Sequence, residues 1–236
     1  MKITSRQNDK VKYWVSLHDK KNRDRDKCFL IEGDHLINEA KKRNLIIDTI
    51  SLEEDGSSYT VTKDVMEKIS LQKTPCAKMA LVKYIPSGDI FGNVLILDCI
   101  QDPGNLGTII RSAVAFNFKT IILGDDCVDI YNPKVVRSTE GMLFNINIIR
   151  TNLKEIIPEL KKNGYSILAT DVRMGSDIRN IEKNKIALII GSEGQGVKSD
   201  IKEMADTLIN IKISNLCESL NASIAASILM YEVNHE

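Results

Sequence analysis

Apolar residues gather in short runs along this chain, some at helical spacing and some at strand length, separated by polar stretches. Up to residue 85 the pattern predicts helices near 8–18, 34–43 and 63–70, and strands at 28–31, 45–51, 59–61 and 79–84. That is a small α/β unit. Pro86, Ser87, Gly88 and Asp89 then form a turn-rich break, the best linker candidate in the sequence. Beyond it, strands are expected at 93–99, 120–124, 146–150, 165–170, 185–190 and 207–213. Helices are expected at 105–117, 133–142, 153–163, 198–204 and 218–233. Several of these strands are unbroken apolar runs, such as Val94-Leu95-Ile96-Leu97, as in a parallel sheet covered by helices on both faces.

Three of the strands are followed by residues that carry chemistry. After 93–98 comes Asp102-Pro103-Gly104-Asn105-Leu106-Gly107-Thr108-Ile109-Ile110-Arg111, which opens a helical pattern. After 185–190 comes Gly191-Ser192-Glu193-Gly194-Gln195-Gly196, and after 207–213 comes Glu218-Ser219-Leu220-Asn221-Ala222. The carboxyl edge of such a sheet is where α/β proteins place their sites. The glycine-rich segment lacks the Lys-Ser/Thr ending of a phosphate-binding P-loop. Its glycines at first, fourth and sixth positions also miss the dinucleotide-binding spacing. Glycine there permits close approach of backbone to an adenine or ribose, although such a loop is equally well a plain tight turn. Asn105 reads as a helix cap and Arg111 as a solvated cation; their separation of six turns through about 240°, which does not aim them at one point.

Taken together and in this order, the three segments resemble the motifs of the SpoU/TrmH-type RNA ribose 2′-O-methyltransferases of the SPOUT superfamily. The resemblance covers residues 92–236, and residues 1–88 look like the smaller, ribosomal-protein-like α/β domain that binds RNA in front of it. It implies an α/β fold with a parallel sheet and a C-terminal trefoil knot between Gly191 and Asn221. It also implies S-adenosyl-L-methionine as cofactor and methylation of a ribose 2′-hydroxyl in structured RNA.

By the same resemblance, Arg111 matches the catalytic arginine, and Asn105, Glu193, Ser219 and Asn221 match polar positions that shape the site and hold Arg111 or the RNA. Gly191, Ile211, Leu220 and Thr170 match the cofactor-binding positions. The chain departs from the family pattern at Lys212 and Ile213, where Pro-Met is usual, and at Asn215, where Gly is usual. The family's pocket borders a dimer interface, so a homodimer is implied, and no metal is needed. Ribosomal RNA is expected over tRNA, because tRNA-specific relatives often carry basic terminal extensions and this chain stops at Glu236.

Composition and charge narrow the alternatives. Lys and Arg equal Asp and Glu at 32 each, which argues against a protein that grips nucleic acid over its whole surface. Residues 1–85 nevertheless hold 17 basic against 13 acidic side chains. The excess lies in Arg6, Lys10, Lys12, Lys20, Lys21, Arg23, Arg25 and Lys27, a candidate phosphate-tracking patch or a solvated helix and loop. Five scattered cysteines without a CxxC pair read as reduced thiols, not a disulfide framework or zinc site. The N-terminus lacks the apolar stretch of a signal peptide, and no run reaches membrane-spanning length, so a cytoplasmic location is expected. His18, His35 and His235 cluster with no acid or cysteine and receive no role. The Ala222, Ala225, Ala226, Leu229 and Met230 face of the last helix is a candidate for either core packing or dimerisation. The rival functions are a tRNA ribose methyltransferase, a base-modifying knotted relative, a non-catalytic RNA-binding protein of the same fold, and a nucleotide-dependent dehydrogenase or small-molecule methyltransferase. The intact motif residues disfavour the non-catalytic reading, and the missing dinucleotide-binding loop disfavours the last.

Overall fold

In the computed structural model of the chain, the residues described are 1–172, 174–182 and 184–234. Among the residues singled out above, His235 lies outside them. The chain forms two compact units: Met1–Pro86 together with Asp129–Phe144, and Ser87–Val128 together with Asn145–Glu236.

The first unit is built on five strands, β1 (Lys2–Ile3), β2 (Cys28–Glu32), β3 (Ile46–Ser51), β4 (Tyr59–Val61) and β5 (Lys78–Lys83), in the order β1-β4-β3-β5-β2. The β1–β4 and β3–β4 pairs are parallel, whereas β5 runs antiparallel to both β2 and β3. Helices α1 (Asp9–Ser16), α3 (Asp34–Lys42) and α4 (Lys63–Ile69) fall where the periodicity put them. One core cluster gathers Val11, Trp14, Ile50, Val65, Met66 and Met79. Helix α2 (Lys20–Asp26) is not legible in the pattern, because KKNRDRD holds no apolar residue to mark a face. Its Arg23 corrects the basic-patch expectation. The side chain is 4% exposed, and its guanidinium donates to the carbonyls of Leu17 and His18 and to the Asp129 carboxylate at 2.8 Å.

The segment 129–144 completes this unit. Tyr131, Val135, Val136, Leu143 and Phe144 are buried, and the rings of Phe29, Tyr84, Tyr131 and Phe144 pack together, with Tyr84 and Tyr131 stacked 3.7 Å apart. The helix expected over 133–142 is instead α6 (Pro133–Ser138) followed by a 3₁₀ turn at Met142–Asn145. Glu140 at φ 48° and Gly141 at φ 80° break it. A Cβ at Gly141 would approach the Glu39 side chain to 2.7 Å, so the break lets the chain lie close to α3. The histidines are staples here: His18 Nε2 meets the Ile69 carbonyl at 2.8 Å and His35 Nε2 the Glu140 carbonyl at 3.0 Å.

The second unit is a seven-stranded, all-parallel sheet: β6 (Val94–Leu97), β7 (Thr120–Leu123), β8 (Asn147–Arg150), β9 (Ser166–Thr170), β10 (Ser176–Asp177), β11 (Ile186–Ile190) and β12 (Thr207–Asn210), ordered β10-β12-β9-β11-β6-β7-β8. Every residue of β6, β7 and β11 is buried, as the unbroken apolar runs require. Helices α5 (Pro103–Ala115), α7 (Leu153–Lys162), α8 (Ser199–Lys202) and α9 (Ala222–Asn234) connect and cover the strands. Residues of α7 and α8, among them Ile157, Leu160 and Ile201, join one core cluster with Ile96, Ile122, Ile167 and Ile189. Strand β12 ends at Asn210 and α9 starts at Ala222, each shorter at the third motif than the apolar pattern suggests.

Candidate active site

Strands β6 and β11 lie side by side, in register from Val94 opposite Ala187 to Leu97 opposite Ile190. From β6 the chain continues through α5 to β7 on one side; from β11 it continues through α8 to β12 on the other. Connections that depart in opposite directions from adjacent parallel strands leave a crevice at their carboxyl ends, the switch point at which α/β sheets hold ligands. The first motif leaves β6 here and the second leaves β11.

Each motif is shaped by local chemistry. Asp102 caps α5 by accepting the Asn105 N–H at 2.8 Å, and Pro103 occupies the first turn, where its missing N–H has no cost. Asn105 is therefore freed from the capping role that its sequence position suggests. The glycine-rich segment closes on itself: Ser192 and Gly196 exchange backbone hydrogen bonds of 3.1 and 2.8 Å, leaving Glu193 near the tip. Gly196 sits at φ 68°. A Cβ on Gly191 would fall 2.0 Å from the Gly196 carbonyl carbon, so glycine at 191 is demanded by the loop's own closure. Substituting Gly191 would thus perturb the loop before it reported on a cofactor.

Three expected site residues meet. Asn105 Nδ2 donates to Glu193 Oε1 at 2.7 Å, and Asn221 Nδ2 donates to Asn105 Oδ1 at 3.0 Å and also to Glu193 Oε1. The Ala222 N–H at the start of α9 points to the same carboxylate oxygen at 3.4 Å, placing the negative charge at the positive end of the helix. Asn221 Oδ1 accepts from the Ser223 and Ile224 N–H groups and from the Ser223 hydroxyl. These acceptances fix the amide orientation, because only Nδ2 is left to face Glu193 and Asn105. The segments from residues 105, 193 and 221 are thus knitted by one small network.

Arg111 lies two turns along α5 from Asn105, exposed, with no hydrogen bond or ion pair among the described residues. The network therefore does not hold it. Ser219 is exposed and its hydroxyl makes no hydrogen bond among the described residues; its carbonyl accepts from the Cys217 thiol at 3.1 Å. Thr170 ends β9 with its hydroxyl donating to the Ile189 carbonyl at 3.2 Å. Ile211 and Leu220 are half-buried, and their backbone N–H and C=O groups make no hydrogen bonds among the described residues. Asn215 does not adopt positive φ, so its place does not require the conformational freedom of the usual glycine.

Sequence reasoning passed over Asp98 and Lys198. Asp98 follows β6 and is 2% exposed; its carboxylate accepts the Lys198 N–H at 2.8 Å, while the Lys198 ammonium pairs with Asp126. The available signal was an acid closing a fully apolar strand. The alanine-containing face of α9 is core: Ala222, Ala226, Leu229 and Met230 are buried, and α9 packs along α5 through a Ser227–Ser112 hydroxyl bond of 2.7 Å. Ala225 of the same face is half-buried. All five cysteines are free thiols, and the described residues contain no metal-ligating cluster.

Comparison with known proteins places the chain among RNA methyltransferases. Residues 92–231 match the SpoU rRNA Methylase family, and residues 8–80 match the MRM3-like substrate binding domain. The chain is 36% identical over 98% of both lengths to the 23S rRNA (guanosine(2553)-2′-O)-methyltransferase RlmP of Bacillus subtilis. Among solved structures it resembles the AdoMet-bound rRNA methyltransferase from Sinorhizobium meliloti, with a TM-score of 0.89 and 27% identity over 99% of this chain and 97% of that one. It also resembles an RNA 2′-O ribose methyltransferase, with a TM-score of 0.84 and 25% identity over 99% and 98%.

Proposed function

The chain belongs to the SpoU rRNA Methylase family, and from that premise we infer that it transfers a methyl group from S-adenosylmethionine to the 2′-hydroxyl of a guanosine ribose in 23S rRNA. The observation that carries this reading is the Asn105–Glu193–Asn221 network at the β6/β11 switch point, with the Arg111 side chain on the same helix without a partner among the described residues. The choice of 23S rRNA rests on the relative matched along its whole length.

S-adenosylmethionine supplies an electrophilic methyl when bound; the backbone groups of Gly191, Ile211 and Leu220, with Thr170, are the residues that would hold it. The remaining work is positioning and electrostatics. A ribose hydroxyl is a weak acid, so its oxygen gains negative charge as its proton passes to a neighbouring phosphate or water on the way to attack. An arginine side chain is a poor base, but the exposed Arg111 guanidinium is suited to stabilising that charge and to orienting a neighbouring phosphate. The amide–carboxylate network holds the loop and helix ends on which Arg111 and the RNA depend, and Ser219 is available to the RNA from its exposed place.

Residues 1–88 select the RNA in this reading, with Lys20, Lys21, Arg25 and Lys27 as phosphate contacts. The protein works as a homodimer in the cytoplasm. Support for the dimer is an exposed apolar row on α9, Ile224, Ile228 and Tyr231, which are 51%, 37% and 45% accessible and spaced at helical turns. The segment Gly191–Asn221 is assigned the family's trefoil knot. The test is methyl mapping of total RNA from cells with and without the gene, with complementation by wild type and by Arg111→Ala. One 23S rRNA guanosine should lose its 2′-O-methyl in the deletion and regain it only with wild type. A change confined to tRNA, or none, would overturn the assignment. Light scattering should give twice 26.5 kDa.

A further inference from the structure

We propose that Asp98 is a positioning residue for methyl transfer, its buried carboxylate setting the place of the Glu193-bearing loop relative to the start of α5. The inference rests on the methyltransferase reading above.

A carboxylate at 2% exposure is costly unless its oxygens are used. The strand before it, Val94–Leu97, is apolar and buried throughout. The carboxylate accepts the Lys198 backbone N–H at 2.8 Å, and the Lys198 ammonium lies 3.8 Å away. The Asp98 N–H donates to the Ile190 carbonyl at 2.9 Å, which ties the same residue to the end of β11. Asp98 thus bonds the strand from which the glycine-rich loop departs and the residue at which that loop ends.

Between those anchors the loop has little freedom. Ser192 and Gly196 are bridged, the space beside Gly191 is filled by the Gly196 and Val197 backbone, and Val197 is buried. The position of Glu193 then follows from the position of residues 191 and 198. On its other side, Asp98 leads through Cys99 and buried Ile100 to Asp102, the cap of the helix that bears Asn105 and Arg111. Cys99 holds φ at 60°, a left-handed conformation disfavoured for a side chain with a Cβ. One carboxylate therefore sits where both motif-bearing loops leave the sheet.

The test compares Asp98→Ala and Asp98→Asn in single-turnover and steady-state methylation of a 23S rRNA transcript at saturating S-adenosylmethionine. Asp98→Ala should lower kcat about 10–100-fold, the loss that a misplacement on the scale of 1 Å produces, with the RNA KM within about 2-fold of wild type. Asp98→Asn keeps an oxygen for the Lys198 N–H and should recover most of that loss. Lys198 has φ −55°, which proline shares, so Lys198→Pro removes the N–H without opposing the backbone, while Lys198→Met removes only the ammonium. Lys198→Pro should lose at least 10-fold more kcat than Lys198→Met; this pair decides the matter if Asp98→Ala fails to fold. Wild-type kcat in folded Asp98→Ala, equal losses in the Ala and Asn variants, or equal losses in the Pro and Met variants would overturn the proposal. Absence of methylation by wild type on the same transcript would instead overturn the proposed function.

Discussion

Asn221 acts through both ends of one amide, and two substitutions separate the ends. Its Oδ1 caps α9 by accepting the Ser223 N–H at 2.9 Å and the Ile224 N–H at 3.3 Å; its Nδ2 joins Glu193 to Asn105. Asn221→Ala removes both functions. Loss of a cap costs about 1 kcal/mol, which lowers the melting temperature of a domain of this size by about 2–4 °C. Asn221→Ser keeps a capping oxygen, since Ser and Asn cap about equally well, so its melt should stay within about 1 °C of wild type. Ser is too short to reach Glu193 and Asn105 together, so the carboxylate keeps only its bond from Asn105 and the tie from both residues to the start of α9 is lost. Both variants should therefore lose methyl transfer to a similar degree, about 100-fold if the reacting groups shift by about 1 Å. Differential scanning calorimetry and single-turnover transfer of labelled methyl on the same preparations measure the two effects. An active Asn221→Ser, or equal destabilisation by both substitutions, would refute the division of roles.

Arg111→Ala should abolish methyl transfer with S-adenosylmethionine affinity within about 2-fold by calorimetry, and Arg111→Lys should rescue little, because an ammonium lacks the planar fork; normal turnover by the alanine variant removes Arg111 from the mechanism. Neutralising Lys20, Lys21 and Arg25 together should weaken RNA binding and flatten the slope of log K against log salt by up to about 0.9 for each phosphate no longer neutralised. Arg23→Ala should leave that slope unchanged and instead destabilise the first unit by about 3–5 kcal/mol, since it strands the Asp129 carboxylate; a changed slope with an unchanged melt would place Arg23 on the RNA instead. A fragment of residues 92–236 should bind the dye ANS and aggregate, because Tyr131, Val135, Val136, Leu143 and Phe144 lose the unit that buries them. The same fragment with 129–144 replaced by a Gly-Ser linker should be soluble and bind S-adenosylmethionine; a well-behaved unmodified fragment would contradict the discontinuous first unit.

Much of the second unit is legible because its strands are buried on both faces and so read as unbroken apolar runs. What escapes the pattern has physical causes. Helix α2 carries no apolar residue at all, and its single buried side chain is an arginine. Without an apolar face there is no periodicity to mark the helix, and nothing local distinguishes Arg23 from Lys20 or Arg25. Strand β10 is two residues long, below the length at which alternation has meaning. The segment 129–144 is apolar enough to predict burial, but a local pattern says that a face is buried without saying against what. Its partners Arg23, Phe29, Glu39 and Tyr84 lie more than 40 residues earlier in the sequence.

The site divides along the same line. The motifs identify Asn105, Glu193 and Asn221 as residues, and the fold turns them into one object: the hydrogen bonds span 88, 28 and 116 positions, distances over which sequence spacing carries no geometry. Helical arithmetic alone puts Asn105 and Arg111 on different faces of α5, and the structure bears this out, with one in the network and the other open to solvent. The arrangement suits a reaction whose demands on the protein are orientation and charge. A rigid amide–carboxylate knot at the switch point needs no mobile base within it, and the exposed cation is free to meet an RNA oxygen or phosphate without first breaking an internal ion pair. Asp98 stayed hidden because its work is done on a backbone N–H one hundred residues away, and a buried acid at a strand end is recognisable as purposeful only once its partner is known.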